Sequence, residues 1–300
     1  MNIVNKRRYY FIVGGALALI SIICLLVLGL NLGIDFQAGT EMTIGFEQQV
    51  LKEDLRAEMR NLGFPEAAVS LSSAGHFFIQ TRELTLAETQ QVEASLEAKF
   101  GALNISYESV PQNIAVESIR NAAIAVVIAV IGMMIYIAIA FRKMPNPFKF
   151  GVCAVAGLSL DVLITLGVFA ILGQILNWSI DLMFVAGILA VLGYSINNTI
   201  IVFDRIRENT ARGISTDFEV VANASIVETL ARSFNSIIST LITLFVLLLF
   251  VGSAIQNFVI VLIIGCISGA VSATFLSPEL LVSWMKKKGA VSDTPAKVKA

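Results

Sequence analysis

Charge is the scarcest property of this chain. Asp, Glu, Lys and Arg make up 14% of its 300 residues against 56% hydrophobic residues, and the mean hydropathy is +0.81. An ordinary soluble domain is about a quarter charged, so that class is excluded. The formal net charge of −1 lacks the basic excess of a nucleic-acid binder, and no nucleic-acid partner is expected. Histidine is nearly absent. The single one, His76, lies beside a turn signal far from any apolar run, where it reads as a surface residue. Cys24, Cys153 and Cys266 all fall in apolar runs, so no disulfide framework is implied and the thiols read as packing groups. No cofactor and no metal site is expected.

What the chain has instead is long apolar segments. Runs near 9–30, 119–141, 150–172, 179–203, 233–252 and 256–284 are each long enough to cross a hydrocarbon core of about 30 Å. This predicts a polytopic α-helical membrane protein with six transmembrane helices. The first run follows a basic start but is too long for a signal-peptide core, and no small-residue cleavage site follows it. Lys6, Arg7 and Arg8 precede the first run, and Arg142, Lys143 and Lys149 lie between the second and third. Arg205, Arg207 and Arg212 lie between the fourth and fifth, and Lys286, Lys287 and Lys288 follow the last. The loops near 173–178 and 253–256 carry no Lys or Arg, so the basic segments and both termini are expected in the cytoplasm.

Residues 36–113 hold no spanning run and must then lie outside as a translocated domain. Alternation over Glu41 to Phe46, helical spacing of Leu51, Leu55, Met59 and Leu62, and two strands about the turn Ser73-Ala74-Gly75 come first. A helix with Val92, Leu96 and Phe100 on one face and a strand from Ile105 to Val110 follow. The order β-α-β-β-α-β is that of an α+β ferredoxin-like unit. The expected organisation is therefore 1–35, a cytoplasmic start and first helix; 36–113, the exported domain; 114–284, helices two to six; and 285–300, a disordered basic tail near the anionic inner leaflet. One such domain among six spans is half of the plan of resistance-nodulation-division (RND) pumps, so a partner is expected to supply the other half about a pseudo-two-fold axis.

Polar residues inside the spans mark function, because burying them in lipid is costly. Asp161 lies near the middle of the third span, with Gly157 and Thr165 four residues to either side. Arg232 heads a stripe of Ser236, Ser239 or Thr240, and Thr243 in the fifth. Asn198, with its neighbour Asn197, sits in the fourth and shares a face with Tyr194 and Ser195. An amide offers two donors and an acceptor but does not titrate, so Asn198 orients a water or a carboxylate and does not carry a proton. Asp204 reads as part of a solvated cluster with Arg205 and Arg207, and Asp181 as a helix N-terminal residue. Gly265, Gly269 and Ala273, with Ser268 and Ser272 alongside, form a close-packing face, inside the chain or against the partner.

Three segments carry a resemblance. Gly33-Ile-Asp35-Phe36-Gln-Ala-Gly39-Thr40 resembles the motif after the first span of SecF, the smaller membrane subunit of the SecD/SecF accessory complex of bacterial protein export, with Ala38 in place of a family glycine. The stretch from Gly193 to Asn209, with Tyr194, Asn197, Asp204, Arg205 and Arg207, is similar to the family's fourth-span signature, and Asn223-x-Ser225 through Thr229-Leu230-x-Arg232 to the approach to its fifth span. The likeness covers nearly the whole chain. It departs at Leu160-Asp161, where the family often has His-Asp, and at Asn198, where it usually has an acidic residue.

The resemblance implies a bacterial cytoplasmic-membrane protein that works with a SecD-type subunit, the SecYEG channel and the translocating polypeptide, with no enzymatic activity. It also implies coupling of export to the proton-motive force, in which the residue matching Arg232 takes part. With Asn198 unable to titrate, the expected proton carrier is Asp161 or a carboxylate of the partner, set against Arg232, Asn198, Ser236 and Thr240. The alternatives are a structural or assembly subunit with no ion pathway of its own and an RND-type small-molecule exporter. The single repeat and small exported domain argue against the exporter. An intramembrane protease is argued against because no histidine in any span could activate Ser195.

Overall fold

The computed structural model describes residues 3–46, 50–71, 75–176, 178–251 and 253–286. A 3₁₀ turn, Val4–Lys6, leads into α1 (Arg7–Leu28), and a short α2 (Ile34–Gln37) follows. An α/β domain comes next: β1 (Gly39–Phe46), α3 (Lys52–Asn61), β2 (Ala68–Leu71), β3 (Phe77–Thr81), α4 (Leu86–Phe100) and β4 (Ala102–Val110). The chain then runs through α5 (Gln112–Ala140), α6 (Pro147–Leu176), α7 (Leu182–Ala211) and α8 (Phe218–Phe250). It ends in α9 (Ser253–Val271), a π-helical turn (Ser272–Leu276) and α10 (Ser277–Lys286), which are continuous. Among the described residues, six helical stretches are long and apolar enough to cross a membrane: Val4–Leu28, α5, α6, α7, α8 and Ile255–Met285. The chain is a multi-pass membrane protein.

The α/β domain has the expected element order, and its four strands lie in the order β2-β3-β1-β4, all antiparallel, as in a ferredoxin-like fold. Alternation along β1 turns Met42 and Ile44 inward against Ile79 of β3, Leu55 and Met59 of α3, and Val92 and Leu96 of α4, all fully buried. Thr85 and Glu88 start α4 with a capping box, the Glu88 carboxylate accepting from the Thr85 N–H at 2.8 Å. The hydrogen bond from Arg82 at 2.5 Å, together with that cap, holds the Glu88 carboxyl down at about 2. Of the turn expected at Ser73-Ala74-Gly75, residues 73 and 74 lie outside the described residues, as do residues 287–300 of the expected basic tail.

Glu41 on β1 stands directly opposite Glu108 on β4. Burial first, then Glu108, Asp181 and Asp35 push its carboxyl above the ordinary carboxylate range. A carboxyl raised in the folded state costs stability while ionised, and the cost fades as pH falls toward its unfolded value. Glu41→Gln should therefore slow amide hydrogen exchange of β1 and β4 at neutral pH, by up to about 1 kcal/mol of protection. The gain should shrink as pH falls through the raised value toward that of a free carboxyl.

Hydrogen bonds tie the segment before the domain to the start of α7. Gly33 donates its N–H to the Ile180 carbonyl at 2.7 Å, Ile180 returns one to Asn31 at 2.7 Å, and Leu182 N–H donates to Asp35 Oδ2 at 2.9 Å. A side chain at Gly39 (φ +125°) would meet the Thr81 carbonyl at 2.2 Å. Ala38, beside it, is held at φ 61°, ψ 157°, a region open to little but glycine. Ala38→Gly, the residue at this point of the SecF motif, should relieve this strain and stabilise the protein by about 1 kcal/mol, read as a higher melting temperature of the detergent-solubilised chain.

In the bundle, α6, α7 and the α9–α10 span form the interior, while α1, α5 and α8 present largely exposed apolar faces. Phe141 stacks on Phe150 at 5.2 Å, and Phe203 meets both edge-on, which locks the α5–α6 connection to α7. Gly265 and Gly269 of α9 lie where a side chain would strike Val191 and Ser195 of α7, so the small-residue face packs inside the chain. α8 begins some fifteen residues before the apolar run that marked the fifth span, because its first turns are polar and helical at once.

Candidate functional site

Asp161 lies halfway along the 30-residue α6 and is fully buried. Three hydroxyls close on its carboxylate: Ser195 of α7 donates to Oδ2 at 2.6 Å, Ser272 of the π-helical turn to Oδ2 at 2.8 Å, and Ser268 of α9 to Oδ1 at 3.1 Å. Each inner element thus contributes to one cluster. The approach is possible because Gly269 leaves Ser195 room; a side chain there would meet Ser195 Cβ at 2.9 Å. Ser272 opens the π-helical turn, and such turns recur at functional sites.

No cation bonds to Asp161 among the described residues. A lone ionised carboxylate in a dry interior is costly unless it neutralises or is hydrogen-bonded. Hydroxyl ligands suit both states: they donate to the carboxylate, and by rotating, one of them accepts from the protonated acid. Ser268 and Ser272 also reach the carbonyls of Gly265 and Gly269 at 3.5 and 3.3 Å, so they have a second partner when the carboxyl changes state. Such a carboxyl can hold or release a proton without losing its hydrogen bonds. The Ser195 hydroxyl donates to Asp161, and no histidine or lysine hydrogen-bonds to it among the described residues.

Asn198 lies on α7 one turn beyond Ser195, 1% exposed, and neither its amide nitrogen nor its oxygen has a partner among the described residues. The Tyr194 hydroxyl on the same helix and the Ser233 hydroxyl on α8 are also buried and unmatched. Two donors and an acceptor left unmet cost about 1–3 kcal/mol each, so Asn198 is a polar residue that apolar packing alone does not explain.

Arg232, Ser236 and Thr240 are not brought to Asp161. Arg232 is exposed on α8 and makes no ion pair among the described residues, and Thr240 donates to the Ser236 carbonyl at 2.9 Å. Ser239 and Thr243 are exposed as well, so the stripe faces away from the interior of the chain. Below the membrane interior, Asp204 pairs with Arg207 at 2.5 Å, whereas Arg205 turns to Glu208 and Glu228 at 2.6 and 2.5 Å. Asn209 is fully buried and donates to Ser225 and Glu228 at 3.0 and 2.9 Å, and Asn223 accepts the Ile3 N–H at 2.7 Å. These motif residues fasten the α7–α8 connection and the start of the chain. Asp181 caps α7 by accepting from the Phe184 N–H at 2.6 Å. Gly193 and Asn197 are exposed, and Phe36 is buried at the α2 link.

Reading along the sequence singled out Asp161 but not its ligands. Ser268 and Ser272 were visible only as small residues beside the glycines, and the signal that would have found them is their spacing of four on the helix that meets α7. The same reading passed over Glu279, a carboxylate in the last apolar run, which is fully buried with neither oxygen partnered among the described residues.

Comparison with known proteins places these features. The family model described as protein export membrane protein SecD/SecF, C-terminal, matches residues 91–287, and the SecD/SecF GG motif matches residues 25–50. The protein translocase subunit SecF of Thermobaculum terrenum is 37% identical, the match covering 96% of this chain and 95% of that one. The protein translocase subunit SecDF of Bacillus subtilis is 31% identical over 93% of this chain but only 37% of its own length. The crystal structure of SecDF from Thermus thermophilus superposes with a TM-score of 0.86 at 29% identity, covering 95% of this chain and 39% of that one. A SecDF structure in a super-membrane-facing form, 27% identical and covering 96% of this chain and 39% of that one, superposes with 0.68.

Proposed function

The chain belongs to the SecD/SecF family of protein-export membrane proteins, and from that premise we propose that it is the accessory translocase subunit of SecF type whose membrane half takes up and releases protons at Asp161. The observation that carries the proton role is the mid-membrane carboxylate held by three rotatable hydroxyls and no cation. The distribution of Lys and Arg supports cytoplasmic termini and an exported α/β domain in the bacterial cytoplasmic membrane. The chain spans well under half of the SecDF proteins it resembles, which supports a separate SecD-type partner for the remainder. The stripe of Arg232, Ser236, Ser239 and Thr243 on the outward side of α8 is the surface such a partner would cover. The SecYEG channel and the translocating polypeptide complete the assembly, and the hydrogen-bonded link at Gly33 and Asp35 would pass movement between the domain and α7.

Moving one charge through 100 mV is worth about 2.3 kcal/mol, enough for a few protons to drive a domain movement. The reading is tested by export of a precursor into vesicles holding this chain, its SecD-type partner and SecYEG, with and without a proton gradient. Stimulation by the gradient that requires this chain is expected, and equal export in both conditions would overturn the reading.

Asn198 favours a second reading, a structural subunit with no ion pathway, because an amide does not titrate. Asn198→Asp restores an acidic residue at the signature position. In the proton-coupled reading, the variant adds a second titrating group one turn from Ser195 and should raise proton flux measurably. In the scaffold reading it changes neither flux nor export.

A further inference from the structure

Glu279 sits near the Arg7 end of the bundle, fully buried, with both oxygens unpartnered among the described residues. A polar line leads to it from Asp161. Ser272, which binds Asp161, and Ser277 both border the hydrogen face of Gly157: a side chain at Gly157 would lie 2.2 Å from Ser277 Oγ and 3.8 Å from Ser272 Oγ. The Ser277 hydroxyl is itself buried and unpartnered, and Glu279 follows two residues later in the first turn of α10. Three unmet polar atoms in one dry stretch are costly. The Ser277 hydroxyl fills the space that a side chain at Gly157 would take, one helical turn from Asp161 toward the Arg7 end.

We propose that Glu279 is a second proton-binding site of the membrane bundle, exchanging protons with Asp161 through the hydroxyls of Ser272 and Ser277. The proposal rests on the proton-coupled reading of Asp161. In one transfer the Asp161 acid gives its proton to Ser272, each hydroxyl accepts one proton and passes on its own, and the Glu279 carboxylate becomes the acid. Asp161 is left ionised, the hydroxyls are restored by rotation, and one positive charge has moved toward the Arg7 end. Ser277 is hydrogen-bonded neither to Ser272 nor to Glu279 among the described residues, and Ser277 and Glu279, two positions apart, lie on different sides of α10, so a water would carry each of these two legs.

The charged and titratable groups around Glu279 fit an exit to the aqueous side. From α1, Tyr10 and Arg7 face it; Arg7 pairs with Glu219 at the start of α8 at 2.6 Å. From α6, Lys149 is held at the Trp284 carbonyl at 3.4 Å, so it does not neutralise Glu279. The charges at this end of α7, Asp204, Arg205, Arg207 and Glu208, are engaged in ion pairs with one another and with Arg212 and Glu228. The π-helical turn contains no titratable residue. The Arg7–Glu219 pair, its side chains 31% and 25% exposed, lies between Glu279 and the aqueous side.

The test is infrared difference spectroscopy across a pH series, with proton conductance measured in parallel, on the full chain reconstituted with its SecD-type partner. One protonated-carboxyl band should vanish in Glu279→Gln and another in Asp161→Asn. The Glu279 band should titrate at a different pH once Asp161 is replaced, and Ser277→Ala should keep both bands while lowering conductance about tenfold. Glu279→Asp, which keeps a carboxyl if the glutamine variant folds poorly, should retain a shifted band and part of the conductance. If no band depends on Glu279, or if its titration ignores Asp161, the proposal fails. Conductance that needs Asp161 but not Glu279 defeats this proposal alone. Conductance indifferent to Asp161 defeats the proton-coupled reading instead, and the proposal that rests on it falls with it.

Discussion

Replacing Asp161 with asparagine should reduce the proton conductance of the reconstituted pair by about a hundredfold or more, the scale of losing a positioned proton-transfer group. The fold should survive. Asparagine keeps an acceptor oxygen for two of the three serines and offers an amide donor to the third, and all three are hydroxyls able to reverse their sense. Ser268 and Ser272 have backbone carbonyls within reach as well, so even leucine at 161 would not strand them. Loss of conductance with an unchanged melting temperature would separate a proton carrier from a structural polar cluster. Asp161→Glu should restore part of the flux, because the carboxyl survives while its three-point seat must stretch to hold a longer side chain. Gradient-driven export should fall with conductance across the series, and a series in which export ignores conductance would leave Asp161 as packing.

Some of this was legible in the sequence because cost is local. A carboxylate or an amide in an apolar run is conspicuous wherever it points, which is why Asp161 and Asn198 stood out. The α/β domain was legible for the same reason: its strand and helix periods differ, and alternation at Met42 and Ile44 declares an inner face. The direction of a face was not legible. Arg232, Ser236 and Thr243 repeat at helical spacing, but periodicity assigns residues to one side of a helix without saying whether that side meets its own chain or another. Ser268 and Ser272 were hidden by the opposite problem, since hydroxyls beside glycines have the composition of simple close packing and gain a chemical role only from Asp161 on a helix more than a hundred residues earlier. Glu279 was passed over inside the run at 256–284, because nothing in the sequence shows that α10 turns this carboxylate into the bundle rather than toward the membrane surface.

Adding a single methyl group at Gly265 should cost about 1–3 kcal/mol, the usual scale of overpacking a dense core. The ideal Cβ lies 2.1 Å from Val191 Cγ2 and 2.5 Å from Cγ1, well inside contact, and both helices are buried, so neither residue has solvent to retreat into. The strain must be met by moving α9 away from α7. That movement reaches the site directly, because Ser268 follows on α9, Ser272 on the π-helical turn that continues it, and Ser195 sits one turn past Val191, and the three hold Asp161 only while the helices stay close. Gly265→Ala should therefore lower both the melting temperature and the proton conductance, and Val191→Ala should rescue both when combined with it, a coupling read from the double-mutant cycle. Gly193→Ala is the control on the same pair of helices: nothing lies within 4 Å of its added methyl, so stability should not fall. If Gly265→Ala melts early but conducts normally, the carboxylate does not depend on its serines, and the proton site must be sought elsewhere in the assembly.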